Sequence, residues 1–392
     1  MGSLEAYKHK HRVLIYVDNT TFGGHEVTLL EALRGLTQEA GLDLFLLLPQ
    51  DNERLLRRLK EEGLDQQERL TIMPHRFHTE PGDVFRVLGQ SRKVRQLRQQ
   101  LRRLHPDLVI VSQGAIALSA CGLGAARAAR IPLMSFLPMA HPAALVRNQQ
   151  SLAVRLQDWL YGRLYALPDY FFTICETAKA QLHDLHKVPS DRIFVHYFGL
   201  DFDRSEPLCL PRQEQGASKQ LALIGRIECQ QKRHDFFLQH LAAHRDALPP
   251  LHVHIIGDGP DRAKLEQLVA ELHLGEQVSF VGWVDDMATW YQQLDAVLLP
   301  SRFEGVPVVM LEAMRWGLPV LASNRDGMAE LLPKDWLFPG DDGPAMIRCL
   351  QNLLSSNQEQ HLRRNRQIVD KMDIASFRAG FCQAVWHCLE KD

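Results

Sequence analysis

The stretch "LALIGRIECQQKRHDFF", residues 221–237, combines an apolar run, a glycine turn and an amphipathic segment. The chain opens in the same order, with "RVLIYVD" at 12–18, the turn "FGGHE" at 22–26 and a helical pattern that closes at Gly41. Apolar runs this continuous are typical of parallel strands that helices cover on both faces. Because the pattern begins twice, we expect an α/β protein with two Rossmann-like, doubly wound domains.

Further short apolar runs extend both halves of the chain. In the first half they lie at 43–49, 107–113, 132–138, 169–175 and 192–198, and in the second at 251–259, 277–283, 295–301 and 318–323. A polar, proline-containing stretch separates the halves. The predicted organisation is a first domain over 1–200, a linker over 201–218, a second domain over 219–372 and an amphipathic helix over 373–392 that can cross back to the first domain. Ligands bind at the carboxyl ends of such strands, so we expect a cleft between two facing sheets.

Composition narrows the class of protein. The 392 residues carry 45 Lys and Arg against 47 Asp and Glu, a formal net charge of −2, so bulk attraction to nucleic acid or anionic lipid is not expected. The seven cysteines form no CxxC pair, which disfavours a disulfide framework or zinc knuckle and favours a reducing cytoplasm. We find no signal-peptide pattern and no apolar run long enough for a membrane span.

Two glycine turns are candidate anion sites. After the strand at 221–224, Gly225 and Arg226 are followed by Lys232, and two cations beside a helix start favour phosphate binding. In "FGGHE", Gly23 and Gly24 let the backbone approach a phosphate or sugar closely. The alternatives are solvated surface charges in the first turn and an ordinary strand-to-helix connection in the second.

Two carboxylates bracket an apolar run in "SRFEGVPVVMLEAMRWG", residues 301–317. Pro307 and Gly317 predict a largely buried helix over 307–316, with Glu304 in the preceding loop and Glu312 inside the helix. A carboxylate accepts paired hydrogen bonds from the vicinal diol of a sugar, and Gly305 and Val306 would aim N–H groups at a phosphate. A capping acid plus an exposed helical Glu is the alternative. A loop acid and a helix acid are a poor match to the facing pair of a glycosidase.

One histidine and a few acids complete the candidates. His141 follows the strand at 132–138 and so falls at a cleft edge, although a lone histidine is more often structural. The pair Asp201 and Asp203 lies in the linker, and Asp285 and Asp286 suit helix capping. We therefore expect neither a metal ion nor another cofactor.

Taken together, these motifs resemble the retaining glycosyltransferases of family 4, which have the GT-B fold. The resemblance covers nearly the whole chain and is most specific in the second domain, where "GRIECQQK", "IIGDGPDRAKLE", "VSFVGWVDD", "LDAVLLPSRFEGVPVVMLEAMRWGLPVLAS" and "DGMAEL" occur in the family's order. It implies transfer of a hexosyl group from a UDP-, GDP- or ADP-linked sugar to an acceptor hydroxyl, with retention of configuration and without a metal.

The resemblance also implies a role for each candidate. Arg226 and Lys232 would hold the donor diphosphate, Glu312 the ribose hydroxyls and Glu304 the donor sugar. The remaining donor contacts would be backbone or base contacts, made by Gly23, Gly24, Gly225, Gly282, Trp283, Val284, Gly305, Val306 and Pro307. His141 would lie near the transferred sugar, so the catalytic set would be His141, Glu304, Arg226 and Lys232.

This sequence departs from the family pattern in three places. The spacing from Arg226 to Lys232 is one residue longer than usual, Pro307 lacks a backbone donor, and Asp326-Gly327 stands where Gly-Gly is common. The acceptor would be a glycan, a lipid-linked glycan or a small molecule. A sugar-nucleotide epimerase of the same fold and a non-catalytic sugar-nucleotide-binding protein remain alternatives.

A run of basic residues in the first domain raises the question of membrane contact. Residues 91–104 contain six Lys and Arg and no acid. An apolar stripe of Val94, Leu97, Leu101 and Leu104 should pack inward, which leaves Arg95, Arg98 and Arg102 on another face. That face is either an ordinary solvated surface or a contact for an anionic membrane, which would place the protein peripherally on the inner leaflet.

Overall fold

The computed structural model describes residues 10–80, 82–147, 151–201 and 218–391. Within these residues the chain forms two compact units, the first built from 10–144, 151–198 and 374–391, the second from 145–147, 199–201 and 218–373. The predicted linker over 201–218 lies outside the described residues except at its two ends, as does Asp203.

The first unit contains a seven-stranded parallel sheet. Its strand order, β3-β2-β1-β4-β5-β6-β7, reverses direction of winding between β1 and β4. The strands are β1 His11–Tyr16, β2 Leu42–Pro49, β3 Leu70–His75, β4 Leu108–Ser112, β5 Leu133–Phe136, β6 Tyr170–Thr173 and β7 Ile193–Val195. The helices are α1 Gly24–Thr37, α2 Glu53–Glu61, α3 Asp83–Leu88, α4 Arg92–Leu104, α5 Ala120–Ala129, α6 Ala143–Arg147, α7 Leu152–Tyr165 and α8 Glu176–Asp184.

Strand β3 was not predicted, because its sequence contains no continuous apolar run. It pairs with β2 along one side and forms the edge of the sheet. Its sequence, "LTIMPH", is buried only at its two end residues and contains Pro74. An edge strand needs less apolar cover and tolerates proline, so it lacks the continuous apolar run of its neighbours.

The C-terminal helix, Ile374–Glu390, packs in the core of the first unit. The ring of Phe381 lies 4.6 Å from that of Phe172, centroid to centroid. At the margin Arg378 donates to Glu31 of α1, with Nη2 to Oε2 at 2.5 Å. Close approach is possible because Gly35 has no side chain: a Cβ there would lie 3.0 Å from Cβ of Arg378.

The second unit contains a six-stranded parallel sheet in the order β10-β9-β8-β11-β12-β13. Its strands are β8 Lys219–Ile224, β9 Leu251–Ile256, β10 Val278–Gly282, β11 Ala296–Leu299, β12 Val320–Ser323 and β13 Leu337–Phe338. Its helices are α9 Cys229–Lys232, α10 His234–Ala243, α11 Arg262–Glu271, α12 Ala288–Tyr291, α13 Val308–Arg315, α14 Asp326–Leu331, α15 Gly343–Ser355 and α16 Glu359–Val369. Both units therefore have the predicted doubly wound α/β topology.

In the second unit the winding reverses between β8 and β11. Loops that follow two such neighbouring strands diverge and leave a crevice at the carboxyl edge of the sheet. The loop after β8 carries Arg226, and the loop after β11 carries Glu304. The fold thus places two predicted site elements beside the position where ligands of this topology bind.

No helix in the described part of the chain is both long and apolar enough to cross a lipid bilayer.

Candidate functional site

The turn after β8 depends on glycines. Gly225 has φ +137°, and Gly257, at the end of the neighbouring strand, has φ +135°. The two turns are in backbone contact, because a Cβ on Gly257 would lie 2.0 Å from the carbonyl oxygen of Gly225. Gly259 is equally close to Ile227, at 2.3 Å from a built Cβ to the carbonyl oxygen. The position of the basic loop is therefore set by backbone packing that no side chain would permit.

The two basic residues of this loop differ in their surroundings. Arg226 is half-exposed, and its Nη1 lies 3.2 Å from Oε2 of Glu228. Lys232 ends the short helix α9 and is largely buried. Its ammonium stands above Gly225, where a built Cβ would lie 3.8 Å from Nζ. A ligand phosphate at this turn would therefore meet one half-exposed guanidinium and one largely buried ammonium.

Lys232 is paired with Glu304. The distance from Nζ of Lys232 to Oε1 of Glu304 is 2.5 Å, and the Glu304 side chain is 9% exposed. The structure thus brings together the predicted diphosphate cation and the predicted sugar acid, although they are 72 residues apart. A charge-assisted hydrogen bond this short holds both groups in a fixed orientation at the crevice.

The loop that carries Glu304 is held from behind by Asp326 and Gly327. The backbone N–H of Glu304 donates to Oδ2 of Asp326 at 2.9 Å, and Gly327 N donates to the carbonyl oxygen of Gly305 at 3.0 Å. A Cβ at Gly327 would lie 2.4 Å from that same oxygen. The carboxylate of Asp326, which replaces a glycine common in the family pattern, therefore accepts from the protein backbone.

Helix α13 begins one residue later and ends one residue earlier than the predicted 307–316. Pro307 is the N-cap, with ψ 124°, and its carbonyl oxygen accepts from the backbone N of Met310 at 3.0 Å. Because an N-cap residue lies outside the helix, the missing N–H of Pro307 is not one of the helix donors. At the other end of the helix, Gly317 follows the C-cap Trp316, and its φ of +71° favours glycine.

Glu312 lies inside α13 and accepts a hydrogen bond from Tyr291. The distance from the hydroxyl oxygen to Oε2 is 2.7 Å. Burial raises the pKa of Glu312, and the hydrogen bond from Tyr291 acts in the opposite direction. One carboxylate oxygen is thus occupied and the plane of the group is fixed. Sequence reasoning missed Tyr291, because no pattern links it to a residue 21 positions away.

Gly282 is the last residue of β10, and Trp283 and Val284 follow it. The φ of Gly282 is +84°, and its carbonyl oxygen accepts from the backbone N of Gly257 at 2.7 Å. The turn after β10 therefore packs on the turn after β9, which itself contacts Gly225. The Trp283 side chain is 48% exposed, and its Nε1 donates to Asp285 at 2.8 Å. An exposed ring held by a hydrogen bond is a suitable platform for a flat base.

Three predicted residues belong to the first unit. Gly23 is the N-cap of α1, and its backbone N–H donates to Oε2 of Glu26 at 2.8 Å, so the protein itself uses that donor. Gly24 is the exposed first residue of α1. His141 follows β5 and is partly buried. The neighbouring His25 was overlooked in the sequence: burial lowers its pKa to about 4, so its imidazole is neutral at pH 7.

The prediction that one apolar stripe of α4 packs inward is confirmed, since Val94, Leu97 and Leu101 are buried. Arg95 and Arg102 are exposed and Arg98 is partly exposed. Lys93 belongs to the same basic run in the sequence, but its side chain forms ion pairs inside the unit. Its Nζ lies 3.1 Å from Asp83 and 3.5 Å from Asp18. The charge available at the surface is therefore smaller than the sequence suggests.

Within the described residues, no group of three or more His, Cys, Asp and Glu side chains is arranged to hold a metal ion.

Two family models match the chain, one in each half of the sequence. The model described as "Glycosyltransferase Family 4" matches residues 22–204, and the one described as "Glycosyl transferases group 1" matches residues 218–356. The chain belongs to glycosyltransferase family 4. The second matched range contains every site residue that the sequence predicted in the second unit, from Gly225 to Glu312.

Individual members of the family align over a part of the chain. A sulfoquinovosyl transferase of Arabidopsis thaliana is 31% identical over 38% of the chain and 28% of its own length. The lipopolysaccharide 1,6-galactosyltransferase of Escherichia coli K12 is 30% identical over 32% of the chain and 36% of its own length. The chain therefore matches about a third of the length of these relatives.

Solved structures match the family 4 chain over nearly its whole length. A lipopolysaccharide outer core galactosyltransferase in its apo form is 18% identical, with a TM-score of 0.68 and coverage of 96% of this chain and 99% of that one. HepE of Anabaena, in complex with UDP and glucose, is 17% identical, with a TM-score of 0.71 and coverage of 96% and 100%. At these identities the likeness shows the fold, and it confirms the predicted GT-B architecture.

Proposed function

We propose that this protein is a retaining, metal-independent glycosyltransferase that moves a hexosyl group from a nucleoside-diphosphate sugar to an acceptor hydroxyl. The observation that carries the proposal is the contact between Lys232 and Glu304 at the carboxyl edge of the second sheet. It joins a phosphate-binding cation to a hydroxyl-binding acid, and a nucleotide sugar needs both within a few ångströms. Glu312, oriented by Tyr291, would take the ribose from within α13.

In the proposed reaction the bond between the anomeric carbon and the diphosphate breaks, and a bond from that carbon to the acceptor oxygen forms on the same face. The acceptor proton passes to an oxygen of the leaving diphosphate, so no protein nucleophile takes part. Arg226 and Lys232 would stabilise the charge that develops on the diphosphate, together with backbone N–H groups near Gly305 and Val306. His141 would contact the sugar during transfer.

For the donor nucleotide we propose UDP first, with GDP and ADP as the alternatives. One structural neighbour, HepE of Anabaena, was solved with UDP-glucose and also with UDP. The site offers Trp283 as a flat exposed ring for the base, which suits any of the three. The acceptor class that we propose is a glycan, lipid-linked or free, because one relative is named for lipopolysaccharide and another for a polysaccharide.

We further propose that the protein works in the cytoplasm and contacts the inner leaflet peripherally. Arg95, Arg98 and Arg102 of α4 would supply long-range attraction to anionic headgroups. An acceptor anchored in lipid would make such contact useful, because it concentrates enzyme and acceptor at one surface.

A nucleotide-sugar panel tests the proposed function. Thermal unfolding is measured with UDP-, GDP- and ADP-hexoses, since a bound donor raises stability by RT ln(1 + [L]/Kd). Release of the nucleoside diphosphate is then measured with and without EDTA and with glycan acceptors. The proposal predicts stabilisation by one nucleotide class and EDTA-resistant release that needs an acceptor. Binding without release would indicate a non-catalytic protein, and conversion of the nucleotide sugar into its epimer without transfer to an acceptor would indicate an epimerase.

A further inference from the structure

The first unit has a concentration of exposed apolar side chains on two adjacent helices. Among the described residues, seven large hydrophobic side chains are exposed, and five of them lie on α3 and α7. These five, which we name the α3–α7 patch, are Phe85, Leu88, Leu152, Leu156 and Trp159. Helices α3 and α7 are in contact, so these exposed side chains belong to neighbouring elements of one unit. An exposed apolar cluster of this kind marks an interaction site more often than a random surface does.

The exposed apolar side chains of α7 lie on the face of the helix that points away from the core. Leu152, Leu156 and Trp159 recur at helical spacing, and Arg163 continues the same stripe one turn later. The opposite face of the helix is fixed in the core by buried side chains, which are Val154, Leu160, Leu164 and Tyr165. The helix therefore cannot rotate to hide the stripe. Leu152 is the most exposed of the patch, at 83%.

The charges beside the apolar stripe of α7 are basic, whereas Arg86 of α3 is paired with Glu80 and Asp83. Arg163 lies with its guanidinium carbon 4.7 Å from the centre of the Trp159 ring. Neither Arg155 nor Arg163 forms an ion pair with a carboxylate of the described residues. The acid of this helix, Asp158, accepts a hydrogen bond from the backbone N of Ala143 and is partly buried. A partner that binds this surface should therefore present negative charge to the arginines and an apolar region to the leucines and aromatic rings.

We propose that the α3–α7 patch inserts into the interfacial region of an anionic membrane leaflet, with its leucines and aromatic rings at the acyl boundary and Arg155 and Arg163 at the lipid phosphates. A helix that lies in the interface has this composition: aliphatic side chains and Trp on one face with arginines beside them. A second copy of this chain is a poorer occupant, because pairing this surface with itself would bring its unpaired arginines together.

This inference deepens the membrane part of the proposed function by naming the anchoring surface. Attraction by the arginines of α4 alone would hold the protein above the headgroups and would weaken steeply with salt. Insertion of apolar side chains adds a component that salt does not screen. The two surfaces therefore make separate contributions that variants can resolve.

Vesicle flotation with a matched pair of variants tests the proposal. Leu156→Gln changes the patch, and Leu185→Gln changes an equally exposed leucine of the same unit outside it, at 57% and 54% exposure. On vesicles of phosphatidylcholine with phosphatidylglycerol, we expect Leu156→Gln to weaken partitioning about tenfold, which is about 1.4 kcal/mol. Leu185→Gln should bind as the parent does. All three proteins should release nucleotide equally from soluble donor and acceptor, so a loss confined to vesicles separates this inference from the proposed function.

Insertion has its own readout in Trp159. Lipids brominated along the acyl chain should quench parent fluorescence on anionic vesicles, and Trp159→Phe should abolish most of that quenching. The triple change Arg95→Gln, Arg98→Gln and Arg102→Gln should reduce binding at low salt while it leaves the quenching of the bound fraction intact. The proposal is overturned if Leu156→Gln binds vesicles like the parent, if only the α4 variant loses binding, or if Leu156→Gln instead dissolves a dimer seen by light scattering.

Discussion

The pair formed by Lys232 and Glu304 gives the sharpest test of how the site works. Replacing Lys232 with Met keeps the length and apolar stem of the side chain but removes the ammonium. Glu304 then loses its 2.5 Å partner while its carboxylate stays 9% exposed. The change therefore separates two consequences, a cost to folding and a cost to chemistry.

The folding cost follows from the burial of the pair. Breaking a fully buried ion pair from one side costs about 3–5 kcal/mol, because the remaining charge is left uncompensated. Lys232 retains 20% exposure, so water would solvate part of the remaining charge. Discounted for that screening, the expected loss in the free energy of unfolding is about 1–2 kcal/mol. The cost to transfer should be larger, about 100-fold to 1,000-fold in turnover, as for the loss of one preorganised charge stabiliser.

A double-mutant cycle distinguishes the two effects. Chemical denaturation and UDP release are measured for the parent, Lys232→Met, Glu304→Gln and the double variant. Neutralising Glu304 in the Lys232→Met background removes the unpaired charge, so stability should return to near the parent value. Turnover should stay low, because the ammonium of Lys232 and the sugar-binding carboxylate of Glu304 are both absent.

Two results would refute this reasoning. Parent-like turnover in Lys232→Met would show that the ammonium does not act on the donor. Recovery of turnover together with stability in the double variant would show that Lys232 serves only to neutralise Glu304.

Three further expectations concern other parts of the second unit. Glu312→Gln should weaken nucleotide binding about tenfold or more by calorimetry. Because burial raises the pKa of Glu312 in the folded state, ionisation of this group lowers the stability of the parent as pH rises above about 4.5. Without ligand, the variant should therefore equal or exceed the parent in melting temperature at about pH 7. Gly327→Ala should cost about 1–3 kcal/mol and impair transfer, since its Cβ would meet the Gly305 carbonyl at 2.4 Å, whereas Gly275→Ala, with nothing within 4 Å, should be nearly neutral in denaturant melts. Burial lowers the pKa of His234 to about 3, so its stabilising contribution is complete above about pH 6.5 and falls on acidification; His234→Asn should show a shallower loss of stability between about pH 6.5 and 4.5.

The fold could be predicted from the sequence wherever strands are covered on both faces. The runs at 12–18 and 221–224 became β1 and β8, the central strands of their sheets. The edge strand β3 escaped, because a strand that pairs on one side and contains Pro74 carries no long apolar run. Periodicity reports burial, and burial is weakest at the edge of a sheet.

The candidate site was predictable residue by residue but not in its contacts. Pro307 and Gly317 placed Glu304 in a loop and Glu312 in a helix, and the structure has both there. The partners of these acids, Lys232, Asp326 and Tyr291, are brought to them by strand order, which no local pattern encodes. For the same reason the sequence could not show that Lys93 leaves the basic face of α4 to pair with buried acids.

Calorimetric titration of UDP into the protein, in the presence of EDTA, tests most directly whether the second unit holds a nucleotide-sugar donor. The account predicts one UDP per chain, displaced by a UDP-hexose, with affinity reduced at least about tenfold in both Glu312→Gln and Lys232→Met. GDP and ADP titrations run alongside identify the base if it is not uracil. Failure of all three nucleotides to bind, or binding that both variants leave unchanged, would contradict the account.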